Sequence, residues 1–406
     1  MEPILFLVHR IPFPPTKGDK VRSFHLLEFL ASRFRVHLGT FVDDPGDMQH
    51  VPGLGRYCTS YNAVELSPRI ARIRSLTGLL TGESLTLHYY RDRSMAKWVR
   101  ATLAEHNIKK VVVFSTAMAQ YVASIPDLHV VADFVDVDSE KWKQYGQSRR
   151  WPLSAIFQRE ADHLLTFERA VAKNASATLF VTPQEAELFK SLAPECASRV
   201  SHLCNGVNAE FFSRQLDLAT PFAVDEEPIV FTGVMDYWPN IDAVSWFVKE
   251  VLPAIVAARP RARFYIVGSR PTSAVKDLAA NQRVVVTGYV DDVRPYLQYA
   301  RAVVAPMRIS RGIQNKVLEA MSMERPVVIW AGAATALSCV SGRDFEVAGN
   351  AAEFALKTIA SMDVKRGAAI GSCARARVLA DYDWSSNLAP LLSLLRQPSI
   401  AIAGAH

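Results

Sequence analysis

The chain lacks any apolar run approaching the roughly 18 residues that a membrane-spanning helix needs, so no spanning segment is expected. It lacks clustered cysteine. The five present (Cys58, Cys196, Cys204, Cys339 and Cys373) are odd in number and scattered, which fits neither a disulfide framework nor metal-ligand spacing. Free thiols in a reducing cytoplasm are expected. The first βα loop lacks the Gly-x-Gly-x-x-Gly fingerprint, which argues against a dinucleotide-dependent dehydrogenase. Excess charge is small: +6 over 406 residues, and dispersed. That fits an anionic substrate or an anionic membrane surface, and no nucleic-acid partner is expected. No basic region, apolar region and cleavage site occur in succession at the N-terminus, so no signal peptide is expected. No repeat of solenoid length and no low-complexity tract is found.

What is present is a regular alternation of short apolar runs with helical patterns. Strands are expected at Ile4–Val8, Val36–Phe41, Lys110–Phe114, His129–Asp133, Thr178–Val181 and Arg199–Leu203. In the second half they are expected at Pro228–Thr232, Arg263–Val267, Arg283–Thr287, Ala302–Pro306 and Pro326–Ile329. Continuous apolar runs suit parallel strands covered on both faces. Phe24, Leu27, Leu30 and Phe34 step at helical spacing, as do Val244, Phe247, Val251 and Ile255. Thr182-Pro183-Gln184-Glu185 carries a cap, a first-position proline and a capping-box acid. The alternation resets after Asn205-Gly206. The pattern predicts an α/β protein of two doubly wound domains, 1–205 and 228–380, joined by a linker at 206–227. A final helix at 381–397 is expected to pack back on the first domain. Ligands of such sheets sit beyond the strands' carboxyl ends, which directs attention to a cleft between the domains.

The richest loop follows the strand at Ala302: Met307-Arg308-Ile309-Ser310-Arg311-Gly312-Ile313-Gln314-Asn315-Lys316-Val317-Leu318-Glu319-Ala320-Met321. Gly312 permits close backbone approach. A helix starting near Gln314 or Asn315 offers free N–H groups to a diphosphate, and Arg308, Arg311 and Lys316 add positive charge. Lys316 and Glu319 share a helix face. A cation near phosphates with a carboxylate one turn deeper suits a nucleotide sugar, whose ribose hydroxyls the carboxylate can accept. A solvated Lys–Glu pair on a surface helix is the bland alternative.

This segment resembles the donor-site motif of the group 1, retaining glycosyltransferases of GT-B fold: Gly312, Glu319, Ala320 and Met321 match, with Pro326-Val327-Val328 following. Arg311 stands where the family's first Glu is usual, which leaves the sugar open. Phe231-Thr232-Gly233 resembles the family's first C-terminal strand and loop, without the basic pair usual beyond the glycine. Asn205-Gly206-Val207-Asn208 resembles its interdomain junction. Pro12 to Ser23 and Asp133 to Trp142 are similar to the sugar transferases of bacterial exopolysaccharide and PEP-CTERM/exosortase systems. The resemblance implies a GT-B architecture, two Rossmann-like domains facing a cleft; together with the charge and helix start read from the loop it makes Gly233, Arg308, Arg311, Gly312, Gln314, Asn315, Lys316 and Glu319 the expected donor-binding residues. It implies retention of anomeric configuration and no cofactor or essential metal.

Elsewhere, the loop His9 to Lys20 offers Lys17 and Gly18 to the cleft, with Lys20 and Arg22 supplying charge. Asp133, Asp136, Asp138 and Glu140 cluster after the His129 strand, and Asp136 or Asp138 is the candidate for acid–base work or sugar contact, against helix capping. A metal there is weakly indicated. His9 is the histidine to watch, and Tyr237 and Trp238 could stack on a base or sugar. Residues 68–80 interleave apolar and basic side chains, as in a helix lying on an anionic membrane or in a solvated amphipathic helix. The reading is transfer of a sugar from a nucleoside diphosphate sugar to a glycan or lipid-linked glycan, in the cytoplasm or at the membrane's inner face. A sugar-nucleotide 2-epimerase and a non-catalytic assembly protein are the rivals.

Overall fold

The computed structural model describes residues 1–396 except 16–17, 148, 216, 309–312 and 336. The chain divides into two compact units. One holds Met1–Cys204 and the chain from Leu388 on, the other Asn205–Asn387.

Unit 1 carries β1 (Pro3–Val8), β2 (Arg35–Val42), β3 (Ser60–Glu65), β4 (Lys110–Phe114), β5 (His129–Val135), β6 (Ala177–Phe180) and β7 (Val200–His202). They form one seven-stranded sheet in the order β3-β2-β1-β4-β5-β6-β7, with every pairing parallel. Parallel pairing needs crossover helices, which cover both faces and explain the apolar runs. Ile4 through Val8 and Val111 through Phe114 are buried almost completely.

Unit 2 repeats the plan with β8 (Glu227–Thr232), β9 (Ala262–Val267), β10 (Val284–Gly288), β11 (Ala302–Ala305), β12 (Val327–Trp330) and β13 (Glu346–Ala348). The order is β10-β9-β8-β11-β12-β13, again all parallel. Val244, Phe247, Val251 and Ile255 are all buried as their spacing predicts, on a helix that takes a π turn at Phe247–Val251. Phe247 packs on Phe264 with ring centres 4.5 Å apart.

Each sheet reverses its winding once, between β1 and β4 and between β8 and β11. Those are the switch points where a doubly wound sheet opens a crevice.

Three local readings need correction. The stretch 206–227 groups with unit 2 rather than standing apart as a linker. Gln215 N donates to Gln298 Oε1 and Gln298 Nε2 donates to Gln215 O, both at 2.8 Å, which fastens this part of the stretch to unit 2. Phe34 lies beyond its helix, which spans Gly18–Ala31. Strands β3 and β13 are additional, and both are sheet edges. The last helix spans Trp384–Arg396. Its residues from Leu388 group with unit 1, where His129 Nε2 meets the Leu394 carbonyl at 2.8 Å.

Candidate functional site

In unit 2 the switch point is flanked by the loops after β8 and β11. The first begins at Gly233, where the backbone is crowded. A Cβ on Gly268, at the end of neighbouring β9, would lie 1.7 Å from the Gly233 carbonyl oxygen. Gly268 also holds φ +149°, so only glycine fits the approach. The second loop runs into the helix Asn315–Ser322, whose cap residue Gln314 makes no side-chain hydrogen bond to the helix start.

Lys316 points from the first turn of this helix into the switch point. Its Nζ donates to Asn240 Oδ1 at 2.8 Å and sits 4.0 Å from the centre of the Phe231 ring. A Cβ on Gly233 would come within 3.1 Å of the same nitrogen. Asn240 is itself fixed, its Nδ2 donating to the Val234 carbonyl at 2.9 Å. The β8 strand, the loop after it and the helix after β11 therefore converge on one ammonium. Burial pushes the Lys316 pKa down to about 7 against the attraction of Glu319. Burial likewise pushes the Glu319 carboxyl up to about 7 against the pull of Lys316. Among the described residues no acid pairs directly with this ammonium, and a cation kept short of solvent in this way is poised for an anionic ligand.

The other expected donor residues are distributed differently. Asn315 Oδ1 accepts from Asn205 Nδ2 at 3.1 Å. Arg308 is exposed and bridged to Asp242 at 2.7 Å, with its guanidinium 5.3 Å from the Trp246 ring centre. Its charge is thus shared with an acid. Arg311 and Gly312 lie outside the described residues. Tyr237 and Trp238 are exposed at the start of the helix Trp238–Trp246.

In unit 1, Gly18 opens the helix Gly18–Ala31, and Lys17 lies outside the described residues. Lys20 and Arg22 do not supply charge to the loop, as the sequence suggested. Both are buried, Lys20 against Asp47 at 2.6 Å and Arg22 against Asp133 at 2.8 Å. That pairing also removes Asp133 from the acidic cluster. Asp136 is partly buried in the β5 loop. Asp138 begins the helix Asp138–Gln147, 3.6 Å from Lys141, and Glu140 pairs with Lys143 at 2.9 Å. Among the described residues no group of three or more His, Cys, Asp or Glu is placed to hold a metal ion.

Two features escaped the sequence. Asn240 carries no motif, and its contact with Lys316 spans 76 residues. At the end of β1, Arg10 bridges Asp19 at 2.5 Å and Asp43 at 2.6 Å. His9 lies 3.5 Å from Asp19 with its ring stacked on Phe114. Burial would raise the Asp19 carboxyl, but His9 and Arg10 hold it well below the usual carboxylate range. The position of His9 at a strand end was the only signal.

Residues 226–363 match the family described as Glycosyl transferases group 1, a segment that contains Gly233, Asn240, Lys316 and Glu319. A sucrose-phosphate synthase from Thermosynechococcus elongatus superposes with a TM-score of 0.74 at 18% identity, covering 98% of this chain and 99% of that one. The fold is GT-B. Anabaena HepE in complex with UDP and glucose shares this GT-B fold, with a TM-score of 0.67 at 16% identity over 97% of this chain and 100% of that one. So does WaaG, a glycosyltransferase involved in lipopolysaccharide biosynthesis, with a TM-score of 0.64 at 15% identity over 97% and 100%. No curated protein sequence matches. In GT-B terms the Lys316 site occupies the switch point of the C-terminal sheet.

Proposed function

We propose that the protein is a glycosyltransferase that moves a sugar from a nucleoside diphosphate sugar to a glycan or lipid-linked glycan, with retention at the anomeric carbon. The family match over residues 226–363 supports glycosyl transfer. The observation that carries the reading is the Lys316 ammonium, held by Asn240 and Phe231 at the switch point with Glu319 one turn deeper.

In this reading the diphosphate lies at the start of the helix Asn315–Ser322. The N–H groups of its first turn and Lys316 hold it, and Glu319 accepts from the ribose hydroxyls. Negative charge grows on the diphosphate as its bond to the sugar breaks. Groups already aimed there stabilise that charge without reorganising. Arg311, Gly312 and Arg308 are further donor-binding residues in this proposal. Gly233 leaves room for the donor beside Lys316. In unit 1, Asp136 or Asp138 contacts the acceptor or the sugar, and Lys17 and Gly18 are proposed to take part in binding. No cofactor or essential metal is part of this mechanism. The similar HepE structure holds UDP and glucose, which makes UDP-glucose the first donor to try. Resemblance to exopolysaccharide transferases makes an extracellular polysaccharide intermediate the acceptor class to try.

The test is incubation with labelled nucleotide sugars, with and without glycan or lipid-extract acceptors, followed by product analysis. Label moving to the acceptor with its anomeric configuration kept supports the reading. An epimerised nucleotide sugar formed without acceptor would replace it with epimerisation. No turnover with any donor and acceptor pair would favour a non-catalytic role.

A further inference from the structure

We infer that unit 1 docks on an anionic lipid surface through a platform built from two separate chain segments, residues 68–80 and the tip of a helical hairpin at Trp151. The platform stands on its own observations and needs no sugar transfer, though a lipid-linked acceptor would give it a purpose.

The helix Pro68–Ser75 and the turn after it expose a run of large aliphatic side chains: Ile70 at 67%, Ile73 at 71%, Leu76 at 54% and Leu80 at 90%. The first three step at three residues and so share one helix face. The second segment joins two antiparallel helices, Asp138–Gln147 and Leu153–Asn174. They are held together by Trp142 against Phe157, ring centres 5.3 Å apart. The tip of that hairpin exposes Trp151 at 82% and Leu153 at 48%.

The two segments are tied at their bases. Arg159 Nη2 donates to the Gly78 carbonyl at 2.7 Å. The buried Glu160 accepts from Ser84 Oγ and Leu85 N, each at 2.6 Å. Arg159 is less than two turns from Leu153, about 9 Å along the helix axis at a rise of about 1.5 Å per residue. The turn carrying Leu80 therefore lies beside the hairpin tip.

Charge selects the occupant. No Asp or Glu occurs between Glu65 and Glu83, or between Glu140 and Glu160. Within these intervals Arg69, Arg72, Arg149 and Arg150 are exposed. Of the four bracketing acids, Glu160 is engaged internally, Glu83 pairs with Arg91 at 2.8 Å and His88 at 2.6 Å, Glu140 pairs with Lys143 at 2.9 Å, and Glu65 is exposed. Protruding Ile, Leu and Trp in segments that carry exposed arginines and no acid of their own match the boundary between acyl chains and anionic headgroups. A protein partner would leave the absence of acid from both segments unexplained. Among the described residues no helix is long and apolar enough to cross a membrane.

The test is co-sedimentation of the full chain with vesicles of phosphatidylcholine, with and without phosphatidylglycerol. The protein is expected to bind the anionic vesicles and to be released by salt. Ile73→Asp with Leu80→Asp should weaken binding by about tenfold or more, and Trp151→Ser should weaken it separately. Absence of binding, equal binding to both vesicle types, or binding unmoved by these variants would overturn the inference. So would a dimer in sedimentation velocity that the same variants dissociate, because the patch would then belong to a second copy. Nucleotide-induced thermal stabilisation, measured on each variant, reports an intact fold. If wild type shows no such stabilisation, the sugar-transfer reading fails while the vesicle result stands.

Discussion

Lys316 Nζ donates a 2.8 Å hydrogen bond to Asn240 Oδ1, and so ties the helix after β11 to the helix after β8 across the switch point of the second sheet. Asn240 is neutral, so it positions the ammonium without neutralising it. Asn240→Ala is expected to leave Lys316 short of a partner and to weaken nucleotide diphosphate binding by about tenfold, the worth of one charge-assisted hydrogen bond. Asn240→Asp is expected to weaken it at least as much, since an acid would compete with the diphosphate. Calorimetric titration checks both.

The shared pKa of about 7 for Lys316 and Glu319 sets a pH signature. Binding as proposed needs the lysine charged and the carboxylate ionised. That form is lost toward acid as Glu319 takes a proton and toward alkali as Lys316 gives one up. Affinity should therefore peak near neutrality, with outer limbs falling about tenfold per pH unit. Glu319→Gln should remove the acid limb and Lys316→Arg the alkaline limb. A flat profile in wild type would contradict the assignment.

The same shifts govern stability without ligand. The raised Glu319 value stabilises the fold below the ordinary carboxylate range, and that contribution is lost as pH rises through about 7. The lowered Lys316 value stabilises the fold above the ordinary amine range, and that contribution is lost as pH falls through about 7. The pair thus supports unit 2 least near neutrality. Replacing both groups, Lys316→Met with Glu319→Gln, should raise the nucleotide-free Tm by about 2–4 °C at neutral pH while abolishing nucleotide stabilisation. A fall in Tm would mean that the ammonium is structural.

Two glycines of positive φ differ in what an added Cβ would meet. Gly268→Ala would drive a Cβ into the Gly233 carbonyl, at a cost of about 3 kcal/mol or more, and should displace the Gly233 loop and weaken nucleotide binding. Gly288 holds φ +72° with nothing within 4 Å of an added Cβ, so Gly288→Ala should cost only about 1–2 kcal/mol and leave binding intact. Denaturant unfolding and titration of the two variants check the contrast.

In unit 1 the buried Arg22–Asp133 pair should be costly to break and cheap to replace. Arg22→Ala is expected to destabilise by about 3–5 kcal/mol, because it strands a buried carboxylate, whereas Arg22→Met with Asp133→Leu should recover most of that loss. The recovery should be incomplete, since Asp133 Oδ1 also accepts from Val135 N at 3.2 Å.

The interior of the fold was legible because buried parallel strands are written as apolar runs: Lys110–Phe114 appears with its expected bounds. The edges were not. β3 reads Ser-Tyr-Asn-Ala-Val-Glu and is half-buried, and β13 has only three residues, so neither carries the signal of a strand flanked on both sides. The Lys316–Glu319 spacing and Gly233 could be read from local pattern. Their environment could not, because Asn240 and Phe231 reach Lys316 through the sheet. Lys20 and Arg22 misled for the same reason: their partners Asp47 and Asp133 lie 27 and 111 residues away, and a charge paired at long range looks free in sequence.

Thermal stabilisation of wild type and Glu319→Ala by UDP, GDP, ADP and CMP tests the donor site most directly. One nucleoside diphosphate is expected to stabilise the wild type, by about 2.7 kcal/mol at a hundredfold excess over Kd, and to leave the folded Glu319→Ala variant unshifted. No shift with any nucleotide, or a shift that survives in Glu319→Ala, would contradict it.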